Sequence, residues 1–403
     1  MQFTDAGNLS YTASKASSVE AFEQALTAYL AAETDTLPQV EALLSDDPLM
    51  PMGLCLRGYL LQLASHPNVN RDLESVVTQL QQQEVQSQLN DRERQHVQAL
   101  KLWSMDQADV ALECLEALLQ TYPMDMLALR LAHHLHFYTG LGVNMRDSTA
   151  RVLDAWPEEH PQFAYLLGMH AFGLEEAGDL EEALNWGQQA VALNKQDIWA
   201  AHAVAHVFWT QGKHEAGLEW LQKMSIHWPQ KNNFKNHLVW HGALHYLALG
   251  KPQMALEIYD EELANSAADD FYLDMCNNAA LLLRLQMQGL DIGERWQPLA
   301  EVAARHVDDQ ELVFASVHYL LPLVAADSPA AQALLASLQT WGLGSGEQAQ
   351  VCAQVGYPLA QALYDFYESP VVGSAALRRL QGELHKIGGS IAQRDLFVSM
   401  GQC

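Results

Sequence analysis

Apolar residues recur at intervals of three and four along most of this chain, clearly over residues 93–103, 110–119, 180–193 and 254–263, while β-branched alternation is scarce. A period near 3.6 puts an apolar stripe on one face of a helix, so the pattern predicts an all-α protein. Short breaks containing Gly, Pro, Asp or Asn fall between these segments, at 123–125, Gly140, 156–157, 178–179, Asn194, Gly212 and 250–252. Such residues end helices, so these are the predicted joints. Further helices are predicted over 20–32, 40–44 and 52–65, and after Ala267 over 271–288, 297–306, 312–325, 330–341, 358–367 and 375–387.

The joints are periodic. Pro123 and Pro157 lie 34 residues apart, as do Gly178 and Gly212. That period belongs to the tetratricopeptide repeat, a helical hairpin with a small packing residue in helix A, Gly at its end, Ala in helix B and Pro after it. Units begin near Arg92, Met126, Ala164, Ile198 and Asn236. The last of these places Ala243, Tyr246, Gly250, Ala255 and Tyr259 at the packing positions, whereas Met145 and Gly217 replace the helix B alanine in the units at 126 and 198. The expected architecture is a tetratricopeptide-like helical-hairpin solenoid, a right-handed superhelix. It comprises an N-terminal helical cap (1–91), the repeats (92–267) and C-terminal hairpins continuing the solenoid (268–403). No βαβ alternation offers a nucleotide-binding or hydrolase sheet. Gly342-Leu-Gly344-Ser-Gly346 follows a helix and lacks the G-K-[ST] ending of a phosphate loop, so it is expected to be a surface turn.

Composition narrows the partners. The 403 residues are 49% hydrophobic, enough for a substantial core, and 22 Lys+Arg against 49 Asp+Glu give a net charge of -27. Without a basic stripe, neither nucleic acid nor an anionic membrane surface is an expected partner. Five widely spaced cysteines (Cys55, Cys114, Cys276, Cys352, Cys403) without a C-x-x-C pair argue against a disulfide framework. Residues 1–18 lack an apolar signal core, and no stretch reaches the roughly 18 apolar residues of a membrane span. A cytoplasmic location is expected. The short last hairpin leaves a homodimer as an expectation.

The chemistry concentrates in histidine. His202-Ala-Val-Ala-His206 and His237-Leu-Val-Trp-His241 each place two imidazoles on one helical face. In the repeat frame, the groove-facing positions of helix A hold Trp199, His202, His206 and Trp209 in one unit and His237, Trp240 and His241 in the next. His134 takes such a position in the unit at 126. His133 beside it packs more deeply, and His245 and His170 fall off the groove-facing set.

Several motifs together resemble the tetratricopeptide repeat protein 38 family. They are Leu127-Ala-Leu-Arg-Leu-Ala-His133, Met145-Arg-Asp-Ser148, Tyr165-Leu-Leu-Gly168-Met-His, His202-x-x-x-His206, His237-x-x-Trp240-His241, Ile258-Tyr-Asp260, Arg284-Leu-Gln-Met-x-Gly289 and Gly388-Gly-Ser-x-Ala-Gln-Arg-Asp395. The resemblance implies a helical-repeat fold more than an activity. It carries over to His133, Arg146, Asp147, the four paired histidines, Asp260, Arg284, His318 and the Gly388 to Asp395 stretch. Trp209, Leu238 and Ser316 stand where the family has acidic residues or Asn, so the polar network around the histidines is expected to be thinner here.

Three readings of the cluster remain open. As a binding groove, His134, Arg146, Trp199, His202, His206, Trp209, His237, Trp240 and His241 would hold a small polar ligand or a peptide segment. As a metal site, His202, His206, His237 and His241, with Asp260 or Asp274, would bind a divalent transition metal such as Zn, Fe or Mn, with metal-dependent hydrolysis as a consequence. As an acid–base enzyme without metal, the same histidines would be catalytic, with Arg146 or Arg284 holding a carboxylate. Against all three stands a satisfied helical core in which each imidazole bonds a neighbour.

Overall fold

Several helices along the chain end in the same way. Gly178 takes φ 90° after the Phe163–Ala177 helix, its amide donates to Glu175 O at 2.9 Å, and Asp179 N donates to Leu174 O at 2.8 Å. The same pair of bonds recurs around Gly212 and Gly250. The two bonds satisfy carbonyls that the helix end leaves open, and the left-handed residue between them favours glycine. Gly289, at φ 86°, closes the Tyr272–Met287 helix likewise, so this device continues past Ala267, where the sequence period becomes ragged.

The protein is all-α in a computed structural model that describes residues 1–5 and 7–402. Ala6 and Cys403, the latter within the expected C-terminal segment, lie outside the described residues. Among those described, the exceptions to helix are an isolated bridge of Glu33 with Lys231 and an antiparallel ribbon of Gln2–Thr4 and Ser10–Thr12. Its strands are too short for a period to be legible. Helix Asn70–Leu80 also went unpredicted, whereas Ile391–Met400 starts where Gly388-Gly389-Ser390 reads as a helix end followed by a new N-cap. The predicted 254–263 helix becomes Pro252–Ile258 followed by a π-turn, Tyr259–Leu263, and the 375–387 helix becomes Pro370–Leu380 plus a 3-10 segment. Residues 342–346 form the expected turn between helices, with Leu343 exposed. Cys55, Cys114, Cys276 and Cys352 are free thiols. No described helix is long and apolar enough to cross a membrane.

The chain divides into two compact units. The first consists of Met1–His136, Leu141–Val204 and His227–Asn232. Its helices pack on sequence neighbours, Asp91–Ser104 on Ala108–Thr121, and Phe163–Ala177 on both Gly142–Val152 and Leu180–Leu193. Buried carboxylates tie its parts together. Glu93 accepts from Thr12 N at 2.6 Å and Thr12 Oγ1 at 2.7 Å, fastening the ribbon to the helix that Asn90 caps. Asp125 accepts from the Ala128 amide at the start of the Met126–Tyr138 helix while pairing with Arg92 and His96. Those charges hold its carboxyl well below the usual range despite burial. Asp197 caps the Ile198–Thr210 helix in the same way, through the Trp199 and Ala200 amides.

The second unit consists of Phe137–Gly140, Ala205–Ile226 and Asn233–Cys403. Phe234–Ala248 packs on His214–Met224, Pro252–Ile258 and Tyr272–Met287, and the last packs on Val313–Ala325. One apolar core runs through Trp240, Leu244, Leu282, Leu320, Leu359 and Phe397. At its C-terminal end Gly388 and Gly389 take positive φ and Ser390 begins the last helix with a capping box to Gln393.

Small residues set how closely these helices approach. A Cβ on Gly187 would lie 2.6 Å from Val204 Cγ2, and one on Gly217 would lie 2.3 Å from His245 Nε2. The repeat's helix B alanine is therefore Gly217 because the buried His245 ring occupies its methyl's place. Gly217→Ala is expected to destabilise the protein by about 1–3 kcal/mol, and by clearly less in a His245→Ala background. Urea unfolding of the two single variants and the double variant measures this coupling; additive effects would disprove it.

Candidate functional site

In the second unit, His237 and His241 lie one turn apart on the Phe234–Ala248 helix, and His206 on the Ile198–Thr210 helix meets them. The ring centroids of His206 and His241 are 4.5 Å apart and those of His237 and His241 4.7 Å apart. Trp240 stacks on His237 at 5.2 Å and is fully buried. His206, His237 and His241 are at most 3% exposed, so these imidazoles belong to the interior and not to an open groove surface.

The hydrogen bonds fix a tautomer. His237 Nδ1 lies 3.2 Å from Asn277 Oδ1, a carbonyl oxygen that can only accept, so Nδ1 carries the proton. Neutral His237 therefore turns an unprotonated Nε2 toward His241 Nε2, 3.2 Å away. Burial and the neighbouring His206 push the His237 pKa down to about 3, which keeps the ring neutral. A histidine whose second nitrogen donates to a carbonyl is the usual form of a metal ligand.

Each ring of this trio offers a nitrogen, and these nitrogens lie within 4.8 Å of one another. His202, one turn before His206 on the same helix, belongs to the first unit. At a Zn–N length of about 2.05 Å, two ligands of a tetrahedral ion are about 3.3 Å apart. The 3.2 Å between His237 and His241 matches that edge. A metal ion would take the place of the proton they share.

Other expected residues lie elsewhere. Asp260 is exposed in the π-turn and forms a two-pronged ion pair with Arg295, at 2.6 and 2.7 Å, so it is not in the metal-binding group. Asp274 bonds the Asn233 and Asn236 side chains, and burial raises its pKa to about 6. Arg146 is spent on Asp147 and Asp179 in the first unit. Trp209 packs against His214 and His245 at 5.3 and 5.7 Å, and the His214 and His245 Nδ1 atoms are 3.2 Å apart.

Within the first unit a second group forms. The Arg130 guanidinium lies 4.0 Å over the half-buried Trp199 ring, with His134 against Trp199 at 6.0 Å. Phe172 lies between His133, at 5.9 Å, and His202, at 5.3 Å. Arg130 and Phe172 were absent from the sequence-derived set because neither fits a recognised ligand pattern. Asn277 was also missed. Its signal is the pair Asn277-Asn278 inside an otherwise apolar run, a place where amides need a task.

Two residues carried over from the resemblance occupy the second unit's interior. Arg284 Nη2 donates to Ala392 O at 2.9 Å, its guanidinium lies 5.8 Å from the Trp240 ring, and burial lowers its pKa to about 10. His318 Nδ1 donates to Phe314 O at 2.7 Å, and burial brings its pKa down to about 4. A folded pKa below the unfolded value of about 6.5 means that the unfolded chain takes up the proton first. The stabilisation is fully present above about pH 6.5 and is lost as pH falls toward 4. Between those values the wild type is expected to lose on the order of 3 kcal/mol more than His318→Gln. Urea unfolding at both pH values checks this, and parallel losses would refute it.

No family model matches the chain. Among solved structures it is similar to one of Naa15/Naa10 bound to HypK-THB, with 12% identity and a TM-score of 0.28. The match covers 94% of this chain and 64% of that one, so the chain spans less than two thirds of that neighbour's length.

Proposed function

We propose that the chain belongs to the tetratricopeptide repeat protein 38 family and that it is a metal-binding helical-repeat protein, whose His206, His237 and His241 hold a divalent transition ion. The observation that carries this reading is the 3.2 Å approach of two buried imidazole nitrogens, one of them oriented by Asn277. An all-imidazole donor set suits zinc, iron, nickel or copper better than manganese, which prefers oxygen ligands. Three imidazoles on a tetrahedral ion leave a fourth position for water or a small anionic ligand.

The aromatic group of the first unit supports a second reading, in which a polar ligand or peptide segment binds at Trp199. The supporting observation is the buried Arg130 guanidinium stacked on a half-buried indole, an arrangement that leaves part of the indole accessible above a fixed cation.

Elemental analysis of untagged protein tests the metal site. About one transition ion per chain is expected, and His241→Ala is expected to lose it while remaining helical by circular dichroism. Added zinc should raise the melting temperature of metal-free protein by several degrees, since saturation at 1,000 times Kd stabilises by about 4 kcal/mol. Substoichiometric metal with no thermal shift would overturn the proposal.

A further inference from the structure

The first unit contains a cavity of about 620 Å³ that shares no residue with the histidine group. Much of its wall is apolar, including Leu9, Phe22, Leu26, Met124 and Leu127. Set into that wall are Asp5 from the N-terminal loop, Tyr11 from the second strand, Glu23 from the Ala16–Leu30 helix, Arg92, Asp125 and His160. Glu33 also borders it and is paired with Lys231 Nζ at 2.6 Å.

Charge in this wall is unbalanced. Arg92 gives Nη1 to Asp125 at 2.7 Å and Nη2 to Ser10 O at 3.0 Å. Its guanidinium lies 4.4 Å over the Tyr11 ring. Asp5 and Glu23 receive no ion pair from any described cation, and what they receive is neutral: Leu9 N on Asp5 at 2.8 Å, and Gln162 Nε2 on Glu23 at 3.3 Å. Arg92, 2% exposed, has the opposite shortage, for its Nε–H meets no acceptor among the described residues.

Tyr11 shows how Asp5 and Glu23 cope without a paired cation. Its Oη lies 2.7 Å from Glu23 Oε1 and 3.1 Å from Asp5 Oδ2. A phenol has one hydrogen to donate, so both contacts are bonds only if one carboxyl is protonated and itself donates to the phenol oxygen. Glu23 is the group that keeps the proton: burial, with Asp5 and Asp125 nearby, raises its pKa to about 7 against the opposing pull of Tyr11 and Arg92.

We propose that this cavity binds an organic ammonium group with a carbonyl beside it, the chemistry shared by a peptide amino terminus and a free amino-acid amide. The ammonium takes the place of the proton on Glu23 and lies between Glu23 and Asp5. The carbonyl answers the Arg92 Nε–H, and an apolar side chain lies among Phe22, Leu26 and Met124. Binding leaves Glu23 ionised and releases its proton to solvent, so one ammonium enters as one proton leaves.

Calorimetric titration of the full chain with leucinamide, N-acetyl-leucinamide and Leu-Gly-Gly, in buffers of different ionisation enthalpy, tests this. Leucinamide is expected to bind with release of about one proton at pH 6, and its affinity should rise about tenfold per pH unit below 7. Above about pH 8 the α-amino group itself deprotonates and affinity falls. N-acetyl-leucinamide, which lacks the ammonium, is expected not to bind. Glu23→Gln keeps the shape of the protonated carboxyl and should abolish proton release while weakening leucinamide at least tenfold at pH 7.5, with helicity retained. Asp5→Asn, outside the helical core, should weaken it several-fold and provides a second variant. Tighter binding of Leu-Gly-Gly than of leucinamide supports the peptide terminus, and the reverse order supports the free amide. Equal binding of leucinamide and its acetylated form, no binding of any of the three, or an unchanged affinity in both variants would overturn the proposal.

Discussion

Helices in this protein approach so closely that a single added methyl would collide with its neighbour, and that closeness is what gathers imidazoles in the interior. The missing Cβ at Gly217 leaves room for the His245 ring, and the missing Cβ at Gly187 leaves room for Val204. Interiors packed to crystal density transmit such constraints from one side chain to the next. His237 cannot swing away from His241, because Trp240 stacks against one and meets the other edge-on while Asn277 holds the first by Nδ1.

Burying polar groups at this density demands partners, and the two units meet the demand differently. The first unit uses charge: Glu93 fastens a strand to a helix, and Asp125 receives Arg92, His96 and a helix N-terminus together. The second unit places largely neutral groups, imidazoles and amides, in its core. Neutral imidazole is less costly to bury than imidazolium, which explains why burial lowers the pKa of His237 and His318. Such a set is poorly suited to holding protons and well suited to presenting nitrogen lone pairs. The cavity near Glu23 is the reverse case, where an acidic pair in an apolar wall retains a proton that a cationic ligand would displace.

Much of the fold could be read from the chain. Periodicity near 3.6 and the glycines at 178, 212 and 250 depend on local backbone physics, and a helix end needs a left-handed residue whatever surrounds it. The histidine pairs were legible for the same reason, since i, i+4 spacing fixes a common face. Asp260 shows where local reasoning stops. A carboxylate near the histidines in sequence was a candidate ligand, but Asp260 is exposed and paired with Arg295, 35 residues on. Asn277 shows the converse, because its partner lies on another helix 40 residues away in sequence.

The sequence by itself determined that this is a helical protein, where its hairpins turn, and that histidines share faces on two of its helices. Those properties arise from interactions spanning a few residues. Only the tertiary structure decided that His206, His237 and His241 meet with ring nitrogens close enough for one ion, and that Asp5, Tyr11, Glu23 and Arg92 border one cavity. Both depend on contacts between segments far apart in the chain, and contacts of that kind leave no period in a sequence.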